Sequence, residues 1–273
     1  MPRVAPRSLS PKRPHRPRVL VECCVDSLEK AEVALRGGAD RLEVCSRLDA
    51  GGYTPTESVL GAITELREQR YPDRRVFAMV RPWLDGKTDF LYEEREERDA
   101  LFKDLDAVLS KGGVDGLVVG ALRSADGTVG IDHDLIKDIC TKAVLNGVED
   151  VTFHRAFDDA DDADDADDAD DADGDRRSLI DELTGTAVTR ILTSGGAGQT
   201  AKVTDGTNLA TLRSYRAHAA QLERPITVMP GSGLTVENLL AVVDATGATE
   251  VHGSFEGGSA VEAVVKLLLL DAS

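Results

Sequence analysis

The chain has 273 residues, 41% hydrophobic and 30% charged, enough for one domain with a sizeable core. No stretch approaches the ~18 consecutive apolar residues of a membrane span, and a net charge of −17 argues against nucleic acid as the main partner, since phosphates would be repelled. Four cysteines, two of them adjacent at Cys23 and Cys24, make no disulfide framework and fit a reducing, cytoplasmic setting.

Residues 1–18 hold half of the ten prolines, six basic residues and no acid, and read as a disordered basic tail without the apolar run of a secretory signal. After the tail, one pattern recurs eight times: a short apolar or β-branched run followed by a helical stretch. The runs are Arg18–Val25, Arg41–Ser46, Arg75–Arg81, Gly116–Gly120, Val151–Ala156, Arg190–Ser194, Ile226–Pro230 and Glu250–Ser254. Helices are expected over Ser27–Arg36, Thr56–Glu68, Glu94–Leu109, Asp134–Leu145, around Arg176–Leu183, then Leu209–Leu222, Val236–Ala245 and Ala260–Leu269. Asp26 with Glu29, and Thr54-Pro55-Thr56-Glu57, supply helix starts, while Gly37-Gly38 and Gly112-Gly113 suit helix ends.

Such alternation predicts a parallel sheet covered by helices, and eight units predict a single (β/α)8 TIM-like barrel over residues 19–273. The strand of Glu250–Ser254 is expected to pair with that of Arg18–Val25. An open doubly wound sheet is the weaker fit, because the first turn, Val25-Asp26-Ser27, lacks the dinucleotide glycines.

One segment breaks the pattern. Asp158–Asp175 carries 12 Asp and no Lys or Arg, with five Asp-Asp-Ala triplets in succession. It reads as a disordered acidic insertion, because like charges this dense resist compaction and no calcium-loop spacing is present. Asp supplies 31 of the 49 acids and Lys only 9 of the 32 bases, a balance suited to high salt.

The chemistry-bearing residues gather in the strands. Alternation places Glu22 with Cys24, and Glu43 with Cys45, on faces expected to point into the barrel, since a carboxylate among the helices would be desolvated. Cys24 and Cys45 end neighbouring strands, so their sulfurs are within reach of one another and suit a soft Cu(I) ion; taken alone, strand cysteines usually serve as small packing groups. Arg81, His154 and His252 lie at other strand ends, where barrel enzymes carry catalytic groups. Glu22, Glu43, Arg81, His154 and His252 are thus candidates for an acid–base pocket, or alternatively Arg81 and Arg155 neutralise Glu22 and Glu43. Glycine turns after the last three strands offer Gly196, Gly231, Gly233 and Gly253 as amides for an anion, or simply tight turns.

Nine blocks, among them Val21-Glu-Cys-Cys-Val-Asp-Ser27, Gly38-Ala-Asp-Arg-Leu-Glu-Val-Cys-Ser46, Met79-Val-Arg-Pro82, Thr152-Phe-His-Arg-Ala-Phe-Asp158, Arg190-Ile-Leu-Thr-Ser-Gly195 and Met229-Pro-Gly-Ser-Gly233, resemble in order those of the copper homeostasis protein CutC family. The resemblance spans about Val21 to Phe255. It implies a TIM-like barrel, a cytoplasmic homo-oligomer (dimer or tetramer), and a Cu(I) role with Cys24 and Cys45 as ligands. Cys23 stands where the family usually has an apolar residue, and the stretch after Arg81 is longer than usual. Copper is then the expected ion and partner, with no nucleic acid or membrane. The alternative is a barrel enzyme acting on a small anionic metabolite, phosphorylated ones included.

Overall fold

The computed structural model describes residues 18–125, 127–160, 176–255 and 258–271. Its strands are β1 (Leu20–Val25), β2 (Arg41–Val44), β3 (Arg75–Met79), β4 (Gly116–Val119), β5 (Leu122–Ala125), β6 (Thr128–Ile131), β7 (Asp150–Phe153), β8 (Val188–Thr193), β9 (Thr227–Pro230) and β10 (Glu250–Gly253). The helices are α1 (Leu28–Gly37), α2 (Glu57–Arg70), α3 (Arg95–Lys111), α4 (His133–Leu145), α5 (Arg177–Thr184), α6 (Asn208–Ala219), α7 (Leu239–Thr246) and α8 (Gly258–Asp271). Eight parallel strands follow one another as β10-β1-β2-β3-β4-β7-β8-β9, with β9 beside β10 at the seam. Together with their helices they make the expected (β/α)8 barrel. The pairing expected between the last strand and the first is present, with Leu20 opposite Glu250 and Cys23 opposite Gly253.

The short hairpin β5–β6, which pairs antiparallel outside the barrel ladder, was not legible as an extra unit. Two helix starts also differ from expectation. Ser27, rather than Asp26, caps α1 by accepting from the Lys30 amide, and Asp26 instead pairs with Lys30 Nζ at 2.7 Å. Thr56 caps α2 through the Val59 amide, while the Thr54 hydroxyl accepts from the Arg81 amide, tying the β2 loop to the end of β3. Gly38 ends α1 in the left-handed conformation, as its sequence predicts.

Strand alternation divides the apolar residues into two clusters. Leu42, Val44, Val76, Ala78, Leu117 and Val119 face outward against helix residues such as Leu35, Ile63, Leu105 and Ile136. Cys24, Cys45, Phe77, Met79 and Val118 form a smaller cluster inside the barrel. Cys23 belongs to the outer set, so neighbouring cysteines on one strand serve opposite faces.

The barrel floor is ionic. Arg41 at the start of β2 donates through Nε to Glu22 and through Nη2 to Glu250 at 2.6 Å. Arg190 reaches Glu250 at 2.5 Å and Asp150 at 3.0 Å, and Arg75 holds the other Asp150 oxygen at 2.7 Å. All three guanidinium groups lie within 5.4 Å of the Phe77 ring centroid, a cation–π arrangement over the one aromatic ring of the inner cluster.

The acidic segment expected at 158–175 begins inside ordered structure. Asp158 lies in a 3-10 turn, Arg155–Asp159, and is buried. It accepts from the Ser194 amide at 3.0 Å, the Ser194 hydroxyl at 2.9 Å, the Thr193 hydroxyl and Arg155 Nε at 2.9 Å. Across the insertion, Arg176 Nε donates to the Ala160 carbonyl at 2.7 Å. The remainder of the insertion, residues 161–175, and tail residues 1–17 lie outside the described residues.

Candidate functional site at the barrel mouth

The C-terminal ends of the strands surround a cavity of about 380 Å³ whose walls include Cys24, Glu43, Met79, Arg81, His154 and His252. Five of these six were expected from sequence. Because Cys24 lies opposite Glu43 in the β1–β2 register, Cys45 sits one step diagonal to Cys24, and their sulfurs are 3.6 Å apart. Both thiols are free, Cys24 is 6% exposed and Cys45 is fully enclosed. The sulfur–sulfur contact, burial and the neighbouring Glu43 carboxylate push the Cys24 thiol well above its usual range, so the metal-free site holds a neutral thiol there. Met79 adds a third sulfur-bearing side chain to the same cluster. Sequence reasoning passed over it, although alternation from Phe77 places it on the inner face.

Glu22, His252 and Glu43 form a second group. His252 Nδ1 is 2.7 Å from Glu22 Oε1 and 3.2 Å from Glu43 Oε2. The single Nδ1 proton is directed at Glu22, and Glu43 Oε2 is left buried without a hydrogen bond. Although burial opposes it, Arg41 and His252 hold Glu22 well below the usual carboxylate range. Burial, with Glu22 nearby, pushes Glu43 the other way, to about 7, against the pull of His252. Burial also disfavours charge on His252, but Glu43 and Glu22 together raise it above its ordinary value. Cys24, Glu43 and His252 each bring a donor atom within 4.8 Å of the others.

His154 is held differently. Its Nδ1 accepts from the Ala156 amide at 3.1 Å, so a neutral ring carries its proton on Nε2. Burial, then the Arg81 charge, lowers its pKa to about 3, which keeps the ring neutral. Nε2 is buried with no protein partner. Only glycine fits at position 120, where a Cβ would fall 2.2 Å from His154 Cε1.

Arg81 and Arg155 do not neutralise Glu22 and Glu43. Arg81 donates to the carbonyls of Gly52 and Thr88, at 3.2 and 2.7 Å, and lies 4.3 and 4.5 Å from the Tyr53 and Phe90 ring centroids. Arg155 pairs with Asp158 and with the carbonyls of Gly198, Gln199 and Ala201. The partner of Glu22 is Arg41, a residue at the opposite end of the barrel wall. Two of the four expected anion-binding amides are also engaged: Gly196 donates to the Ser194 hydroxyl and Gly231 to the Thr193 carbonyl. Gly233 and Gly253 border the cavity.

These shifts fix an acid response. Despite burial, arginine contacts hold Asp150 and Glu250 below ordinary carboxylate values, so their contribution is present above the unfolded pKa and lost as pH falls through the folded one. His154 acts in the same direction, since the unfolded chain takes its proton near 6.5 and the folded one only near 3. Glu43 opposes this between its folded value near 7 and its unfolded one near 4.5, and adds little slope below. Urea midpoints are therefore expected to fall steeply between pH 4.5 and 3. A flat profile there would contradict the assigned pairings.

Residues 19–257 match the family model described as CutC family. The chain belongs to the CutC family. A copper homeostasis protein cutC homolog of Homo sapiens is 37% identical over 238 residues, 86% of this chain and 72% of that protein. A family protein CutC of Rhizobium meliloti is 33% identical over 237 residues, 87% of this chain and 81% of that protein. A crystal structure described as a copper homeostasis protein CutC from Streptococcus agalactiae superposes with a TM-score of 0.69 at 25% identity, covering 86% of this chain and 98% of that one. The copper-homeostasis family and barrel expected from sequence are thus those of the chain. Among the described residues, no helix is long and apolar enough to cross a membrane.

Proposed function

We propose that this CutC protein binds one Cu(I) ion between Cys24 and Cys45 at the barrel mouth. The observation that carries the reading is the 3.6 Å approach of two free sulfurs, one of them bordering an open cavity. A soft monovalent ion gains from two thiolates and tolerates low coordination, and Met79 offers a thioether of the same softness nearby. Cys24 enters as a thiol, so binding releases its proton and tightens as pH rises. The protein acts in the cytoplasm as a homo-oligomer; the reduced, buried cysteines favour a reducing compartment, and the family resemblance favours the assembly.

Titration of reduced protein against a chromophoric Cu(I) competitor tests the site. About one equivalent per chain is expected for the wild type and none for Cys24→Ser with Cys45→Ser. Cys23→Ser is expected to bind normally, because Cys23 faces the helices. The competing donor set is Cys24 with Glu43 and His252, whose nitrogen and oxygen atoms suit a divalent ion better. Loss of Cu(I) in Glu43→Gln, or retention in the double cysteine variant, would move the site away from the sulfur pair.

A further inference from the structure

The mouth holds more polar equipment than a two-sulfur copper site uses. Among the described residues, two buried polar atoms without hydrogen bonds belong to residues that line the same cavity, and they are of opposite kind. His154 Nε2 is a donor, its proton fixed there by the amide that Nδ1 accepts. Glu43 Oε2 is an acceptor, passed over by the imidazole beside it. Buried polar groups are ordinarily hydrogen-bonded, so a complementary donor and acceptor left without hydrogen bonds, on residues that border one cavity, point to a ligand.

Charge narrows the class. In a chain of net charge −17, this cavity is bordered by Arg81, Arg155 and Lys202. Arg155 is offset by Asp158, but among the described residues neither Arg81 nor Lys202 is ion-paired with a carboxylate. Lys202 is exposed at the rim, where its Nζ is 3.5 Å from the Ser232 hydroxyl. At about 380 Å³ the cavity falls within the ~300–1,000 Å³ of small-molecule sites.

We propose that the barrel mouth also binds a small hydroxy acid. Its carboxylate accepts from His154 Nε2 and is balanced by Lys202 and Arg81, while its hydroxyl donates to Glu43 Oε2. The anion expectation thereby moves from backbone glycine amides, two of which are engaged, to side chains just after β3 and β7 and in the loop after β8. This goes beyond copper binding and is independent of it, so it is tested on metal-free protein kept in chelator.

Calorimetry or saturation-transfer NMR with five probes reads the recognition. Lactate and glycerate supply both groups, propionate lacks the hydroxyl, glycerol lacks the charge, and inorganic phosphate is a bare anion. Lactate or glycerate is expected to bind at millimolar concentration or below, with propionate, glycerol and phosphate at least several-fold weaker. His154→Ala and Lys202→Met are each expected to weaken the hydroxy acid about tenfold, a usual size for losing one charge-assisted contact. Lys202 is exposed, so Lys202→Met decides the matter should His154→Ala fail to fold. No binding of either hydroxy acid to the wild type overturns the proposal, as does equal binding of propionate, glycerol or phosphate. So does undiminished binding by Lys202→Met. Copper titrations of the same protein remain a separate readout, and either proposal can fail while the other stands.

Discussion

Replacing Arg41 by Met is expected to lower the unfolding free energy by roughly 3–5 kcal/mol, the usual loss when one partner of a buried ion pair is removed. Arg41 is 3% exposed and is shared by Glu22 and Glu250, on the first and last strands of the barrel. Without it, among the described residues, Glu22 keeps the His252 contact and Glu250 that of Arg190. Against a typical total of about 5–15 kcal/mol this is a severe loss. Urea unfolding checks it: the midpoint falls while the slope stays constant, since the surface exposed on unfolding is unchanged. A loss under about 1 kcal/mol would show that desolvation of these charges already cancels their attraction. Replacing Arg41, Glu22 and Glu250 together by apolar residues is expected to cost less than Arg41→Met alone, because no charge is then left buried and unpaired.

Asp158→Ala is expected to destabilise by about 2–4 kcal/mol, through loss of charge-assisted hydrogen bonds and abandonment of buried donors. The Ser194 amide and hydroxyl, the Thr193 hydroxyl and Arg155 all converge on this carboxylate. Asp158→Asn keeps acceptor capacity but not the charge, and is expected to fall between wild type and alanine. Urea midpoints for the three proteins give the order. If alanine and wild type unfold alike, the carboxylate is not the anchor of the β8 turn, and the distances around it carry no stability.

The barrel was legible because each unit announces itself twice, by a β-branched run and by a following amphipathic stretch. Inner and outer faces were legible from alternation alone, which separated Cys23 from Cys24 and put both glutamates inside. The floor was not. Arg41, Arg75, Arg190 and Glu250 each open one of the apolar runs, but an arginine at a strand start reads equally as a solvated end. Only the closure of the barrel brings those starts into one ring. The pairing of Arg81 and Arg155 with the glutamates failed for a related reason: sequence gives the sign of a charge but not its height along the barrel. Arg41 sits at the floor with Glu22, whereas Arg81 is at the rim, held by loop carbonyls. Asp158 was counted with the triplets because it has the same composition, although the preceding Thr152-Phe-His-Arg-Ala-Phe run could have marked it as part of the folded block. Nothing in the sequence distinguishes the neutral, proton-fixed His154 from any other histidine. That property depends on the Ala156 amide and on the space left by Gly120.

The stitch between Arg176 and Ala160 bears on tolerance to changes of length as well as on the fold. Asp158–Asp175 holds five Asp-Asp-Ala triplets in succession. Here the first triplet, Asp158 to Ala160, is held by the barrel, and Ala160 is tied to Arg176 by one hydrogen bond. For a flexible connection between two fixed ends, doubling its length costs only about 0.6 kcal/mol of closure entropy. Adding or removing a triplet is therefore expected to change stability far less than Asp158→Ala does.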